Sequence, residues 1–157
     1  MNIQFWSIGK AHESFVNEGI LLFTKRISHY YNIQWQIISN IKNAANLHVD
    51  SLKIKEGELV TSMLKKDDYL ILLDEHGKVL DSPALANLIG NRADEGCKSL
   101  IFLVGGAFGV SAAVTQRANF CWSLSPLVFP HQIVRLLLAE QVYRACTINR
   151  KENYHHQ

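Results

Sequence analysis

Cysteine, proline, long apolar runs and charge of one sign are all scarce in this sequence, and each scarcity excludes something. The three cysteines, Cys97, Cys121 and Cys146, are odd in number and far apart. They suit neither a disulfide framework nor a zinc knuckle, and read as small buried hydrophobes in a reducing, cytoplasmic setting. No stretch approaches the roughly 18 uninterrupted apolar residues of a membrane-spanning helix. The opening MNIQFWSIGK has no basic segment leading into a long apolar run, so it does not read as a signal peptide. The seven histidines include no HxxxH or HExxH pair, so no metal site is expected. With 16 Lys+Arg against 14 Asp+Glu, the net charge of +2 is too small to hold nucleic acid by bulk charge alone.

What is present is an ordinary globular balance, 48% apolar and 19% charged, over 157 residues. That suits one domain over residues 1–157, with no room for a separate RNA-reading domain. The apolar spacing predicts a strand over 2–8 and a helix over 12–30, with Phe15, Val16, Gly19, Ile20, Leu22, Phe23 and Ile27 on its inner face. A strand over 33–39 and a polar loop over 40–46 follow. A helix capped by Asp50 then runs to about Lys66, burying Leu52, Leu59, Val60, Met63 and Leu64. YLILL, 69–73, reads as a strand buried on both faces and ended by a turn at Asp74–Gly77. Ser82-Pro83 starts a helix to about Glu95, with Gly96 ending it. SLIFLV, 99–104, is a further buried strand, followed by a glycine loop, a short helix capped by Ser111 and a strand over 120–124. Pro126 and Pro130 bracket an extended loop. The last helix, 131–148, is expected to bury Val134, Leu137, Leu138 and Val142. Strands alternating with helices predict an α/β fold with a mostly parallel sheet.

In such sheets ligands bind beyond the carboxyl ends of the strands. Three segments lie there: Leu73-Asp74, Gly105–Gly109 and Leu124–Pro130. The third is apolar for a loop, and its backbone groups need partners. GGAFG is neither GxGxxG nor a P-loop, so it serves equally as a tight turn or as a ligand contact. His12, His29, His48 and His76 are scattered and expected on the surface. Charge is uneven: residues 1–95 hold 10 Lys/Arg against 12 Asp/Glu, and residues 96–157 hold 6 against 2. The basic surplus therefore shares the C-terminal third with the proline loop. It reads either as a patch for an anionic substrate such as RNA or as a solvated face.

The segment Ser123-Leu-Ser through Pro130-His-Gln, Arg135 and Glu140-Gln to Tyr143-Arg-Ala, with Tyr154-His155 near the end, resembles the ribosomal RNA large subunit methyltransferase H family of SPOUT-class enzymes. Leu73-Asp74-x-x-Gly77 and Val104-Gly105-Gly106-x-x-Gly109 match in order and spacing, and the likeness covers the whole chain. The resemblance implies an α/β fold whose C-terminal part is tied into a trefoil knot, a topology that connection rules would not suggest. It implies a homodimer that methylates N3 of a pseudouridine (position 1915 in the family) of 23S ribosomal RNA within the ribosome. The methyl donor would be S-adenosylmethionine, with no metal. Leu73, Gly105, Leu124, Ser125, Pro126, Leu127, Val128 and Phe129 would bind the donor.

For the catalytic work the expectation is that His155 helps remove the N3 proton, Arg144 stabilises charge on the base carbonyl and Tyr154 orients the base. Arg135 either holds a phosphate or locks the last helix. Val128 stands where many members carry Thr, Ala107-Phe108 replaces a pair that is often more polar, and His156 stands where Lys or Arg commonly follows Tyr-His. Two competing readings are the same fold acting on another RNA site and a non-catalytic ribosome-binding module. A small-molecule kinase or dehydrogenase is weaker, because both phosphate fingerprints are absent.

Overall fold

The structure, a computed structural model, describes residues 1–38, 41 and 44–154. Its elements run β1 (Asn2–Ile8), α1 (Ser14–Ile27), β2 (Asn32–Ile38), a 3-10 turn (Ala44–Asn46), α2 (Val49–Met63), β3 (Tyr69–Val79), α3 (Ser82–Asp94), β4 (Ser99–Val104), α4 (Ala112–Arg117), β5 (Phe120–Ser123) and α5 (His131–Asn149). The strands form one sheet in the order β2-β1-β4-β3-β5, and every pairing among them is parallel.

Period-two alternation in the central strands divides the core between the two faces. From β4, Leu100, Phe102 and Val104 join Ile3, Phe5, Ile71 and Trp122 beneath α1, α3 and α5. Ile101 and Leu103 join Trp6, Leu70, Leu72, Val60 and Val114 on the side of α2 and α4. All six residues of β4 are buried, which is why its sequence is apolar without a break from Leu100 to Val104. β2 lies at an edge and alternates instead, with Asn32, Gln34 and Gln36 exposed. Gly19 lets α1 and α5 approach closely, since a Cβ there would sit 2.7 Å from Leu136 Cδ1.

Several expectations need correction. On α1 only Val16, Ile20 and Ile27 are buried, while Phe15 and Leu22 are exposed. Helical spacing marks an apolar stripe but does not say what covers it. On α2 Val60 is buried, whereas Leu59 and Met63 are exposed; the helix packs edge-on through Gly57, where a Cβ would collide with Ser111. The cap of α2 is His48, with Asp50 in the first turn. The cap of α3 is Asp81, whose carboxylate accepts from Ala84 N–H at 2.8 Å; Ser82 is already helical. On α5 the buried stripe is Arg135, Leu138, Ala139, Val142, Ala145 and Cys146, rotated by one position so that Val134 and Leu137 are only half-buried. Cys146 is buried, but Cys97 and Cys121 are partly exposed. His12 is not a surface residue: it is half-buried, its ring 4.6 Å from that of Trp35. Ser39 and Asn40, at the junction of the expected strand and loop, lie outside the described residues.

Candidate active site

The three strand ends singled out from topology meet in one cleft of about 470 Å³, within the usual range for small-molecule sites. β3 does not end at a simple turn as expected. It bulges, so that both Leu73 and Lys78 oppose Trp122 of β5. Asp74 Oδ1 holds the bulge, accepting from the His76 backbone N–H at 2.8 Å and lying 3.0 Å from His76 Nδ1. Gly77 crosses directly against β5: a Cβ there would stand 2.7 Å from the Cys121 carbonyl carbon, so no side chain fits.

From β4 the chain enters Gly105 and Gly106. A Cβ on Gly105 would meet Val110 Cγ1 at 2.9 Å, and one on Gly106 would meet Glu56 Oε2 at 2.7 Å. Gly109 N–H closes a turn onto the Gly106 carbonyl at 3.0 Å, and its φ of +81° is one that glycine adopts without strain. Beneath this loop the Glu56 carboxyl is held above its ordinary value by burial. From β5, Ser123 Oγ donates to the Ser125 carbonyl at 2.9 Å, and Ser125 Oγ accepts from Leu127 N–H at 3.0 Å. These bonds hold the apolar loop open without regular structure.

Leu73, Gly105, Leu124, Ser125, Leu127, Val128 and Phe129 all line the cleft; Pro126 is exposed and lies outside the lining. Several lining residues were not singled out from sequence. Trp122 is buried, and its indole N–H has no hydrogen-bond partner among the described residues. His131 reaches the Gly105 backbone, and burial, with the charge of Arg135, pushes its imidazole below the ordinary value. The PHQ sequence was the available signal for His131, but a lone histidine gave it little weight.

Arg144 and Tyr154 form a second cluster. Arg144 donates from Nη2 to Glu140 Oε1 at 2.6 Å and from Nε at 3.1 Å. Tyr154 O–H donates to the same oxygen at 3.1 Å, and the guanidinium lies 4.9 Å from the Tyr154 ring centre. Burial, and then Glu140, push the Tyr154 hydroxyl above its ordinary value. Glu140 is the organising acceptor that sequence reasoning missed. At 1.5 Å per helical residue, Arg144 lies about 20 Å along α5 from His131, and neither Arg144 nor Tyr154 lines the cleft. His155 lies outside the described residues. Arg135 is 2% exposed and donates to the Lys10 carbonyl; it locks α5 and is not placed to hold a phosphate.

No group of metal-ligating side chains occurs among the described residues, and no described helix is long and apolar enough to cross a membrane. A family described as predicted SPOUT methyltransferases matches residues 1–155. The chain is 43% identical over 157 residues to the ribosomal RNA large subunit methyltransferase H of Flavobacterium johnsoniae, with all of both chains covered. It is 40% identical over 157 residues to the protein of that name from Christiangramia forsetii, again with full coverage. To the one from Bacillus pumilus it is 40% identical over 158 residues, covering 99% of each.

Proposed function

The chain belongs to the SPOUT methyltransferase family, and from that premise we propose that residues 1–157 act as one domain that methylates N3 of a pseudouridine in 23S ribosomal RNA, position 1915 in the family. The donor in this reading is S-adenosylmethionine, and the working form is a cytoplasmic homodimer. The observation that carries it is the convergence of Leu73, Gly105 and the Leu124–Phe129 loop on one cleft.

The cleft suits the donor. Its apolar walls, Leu73, Leu124, Phe129 and Val134, offer a slot for a flat base. The orphaned Trp122 N–H and the backbone N–H groups of Val128 and Phe129, which meet no acceptor among the described residues, offer polar contacts. Because those contacts come from backbone, valine at 128 sacrifices nothing essential. When bound, S-adenosylmethionine supplies an electrophilic methyl group on a sulfonium.

The rest of the chemistry falls to the chain. N3 of the base carries a proton that must leave as the new bond forms, and His155 accepts it in this reading. Arg144, held by Glu140, stabilises the charge that develops on the adjacent carbonyl, and Tyr154 orients the ring. The roughly 20 Å between Arg144 and His131 on one helix argues that Arg144, Tyr154 and His155 serve the cleft of the other subunit. The exposed Phe15, Leu22, Leu127 and Val128 supply apolar surface for such a partner. Mass spectrometry of 23S rRNA from cells with and without this protein tests the reading. Loss of N3-methylpseudouridine on deletion is expected; an unchanged nucleoside, or loss of a different methylated one, overturns it.

A further inference from the structure

Arg26, on α1, is used by neither the cleft nor the Glu140 cluster. Its guanidinium carbon lies 5.4 Å from the centre of the Tyr143 ring and 5.8 Å from that of Phe23. Tyr143 meets Tyr154 edge to face, with ring centres 4.7 Å apart, and Arg144 lies against the far ring. Two guanidiniums therefore flank a pair of aromatic rings, one from α1 and one from α5.

They differ in how they are neutralised. Arg144 is paired with Glu140, and Glu140 is saturated, since Gln141 occupies its second oxygen. Glu152, the other acid of this region, accepts from Tyr30 O–H. Arg26 has neither a salt bridge nor a side-chain hydrogen bond among the described residues, and it is only half-buried. A guanidinium held over aromatic rings, with no hydrogen-bond or ion-pair partner, keeps its N–H fork free for an incoming acceptor. That fork matches two phosphate oxygens, and arginine is weakly hydrated enough to release water for them. Through Tyr143, whose ring centre is 4.7 Å from that of Tyr154, Arg26 belongs to the same aromatic cluster as the residue that orients the base.

We propose that Arg26 binds a backbone phosphate of the RNA strand next to the target nucleotide, with Tyr143 as the platform that holds its fork. This rests on the rRNA-methyltransferase reading above. Arg26 is a substrate-binding residue from α1, a helix outside both the cleft lining and the Glu140 cluster. It adds a charge to the C-terminal basic surplus from the otherwise acidic part of the chain.

The test compares wild type, Arg26→Met and Arg26→Lys in binding to ribosomes purified from cells lacking the protein, across a range of salt. Methionine keeps packing on the Tyr143 ring and removes the charge. Arg26→Met should weaken ribosome binding roughly tenfold and lower the slope of log affinity against log salt by about one. S-adenosylmethionine affinity by calorimetry and the thermal midpoint should stay at wild-type values. Lysine should restore the salt slope but not the full affinity. An unchanged slope and affinity in Arg26→Met overturns the proposal. If that variant loses its thermal transition, wild-type Arg26 is probed with phenylglyoxal: shielding by bound ribosomes supports the proposal, and full modification overturns it. Ribosome binding by the wild type without methyl transfer would instead overturn the reaction reading and leave the Arg26 result legible.

Discussion

Arg135 Nη1 donates to the Lys10 carbonyl at 2.9 Å, across 125 positions of sequence. The bond ties the first turns of α5, just beyond the proline loop, to the segment leaving β1. The guanidinium is 2% exposed, lies 3.4 Å from His12 Nδ1 and leaves its Nε without a partner among the described residues. A buried cation held by a carbonyl and a neutral imidazole tolerates little change in either its charge or its shape.

Arg135→Ala should therefore destabilise the fold by about 3 kcal/mol, through the lost contact to Lys10 and the space left under α5. Arg135→Lys should recover little of this, because an ammonium cannot reproduce the fork. Urea denaturation of the three proteins checks it; a lysine variant as stable as wild type would mean that charge alone matters there.

A second prediction concerns pH. His12 and His131 both lie below the ordinary imidazole value, first because burial disfavours the cation and then because Arg135 repels it; for His131 the contact with Gly105 opposes the shift. In the unfolded chain both titrate near 6.5. Above that pH both states are neutral and neither histidine contributes. As pH falls below it, the unfolded chain binds protons that the folded chain does not, so stability declines until the depressed folded values are reached. Denaturation midpoints should drop on acidification from about neutral to mildly acidic pH, and His12→Gln and His131→Gln should each flatten the decline. Curves parallel to wild type would show that other groups set the acid limb.

Much of the architecture was legible because it rests on local pattern. The apolar run of β4 reports burial on both faces, and the alternation of β2 reports an edge. The converging strand ends follow from the α/β order alone. What escaped depends on distant contacts. The bulge in β3 arises because residues beyond Asp74-Glu75-His76-Gly77 pair again with β5, and a polar stretch bounded by the turn formers Asp74 and Gly77 gives no hint of that. Asp81 and Ser82 are both good caps, and only the bond to Ala84 separates them. For Arg135 the sequence left two readings open, a phosphate contact or a lock on the last helix; it falls three and seven positions before Leu138 and Val142, on the buried stripe, but arginine is rarely read as core. Glu140 was overlooked because its role exists only when Tyr154 folds back onto α5.

The last prediction addresses whether the two clusters work across subunits. Gly105→Val places a branched side chain where a Cβ already meets Val110 at 2.9 Å, which should close the cleft. Arg144→Ala leaves the cleft intact but removes the cation held by Glu140. In the proposed homodimer, each variant paired with itself should be inactive. When the two chains are co-expressed in equal amounts, half the dimers are mixed. If Arg144 serves the partner's cleft, one of the two sites in a mixed dimer regains both an open cleft and an arginine. Methyl transfer should then return to roughly a quarter of the wild-type level in the unfractionated mixture, and to about half of it in mixed dimers purified through both tags. If Arg144 serves the cleft of its own chain, every site in the mixed dimer lacks one component, and activity stays absent. Differentially tagged chains, purified through both tags and assayed on unmodified ribosomes, decide between these outcomes. A silent mixed dimer that still binds S-adenosylmethionine at one site by calorimetry would remove the arrangement in which one subunit's tail completes the other's cleft.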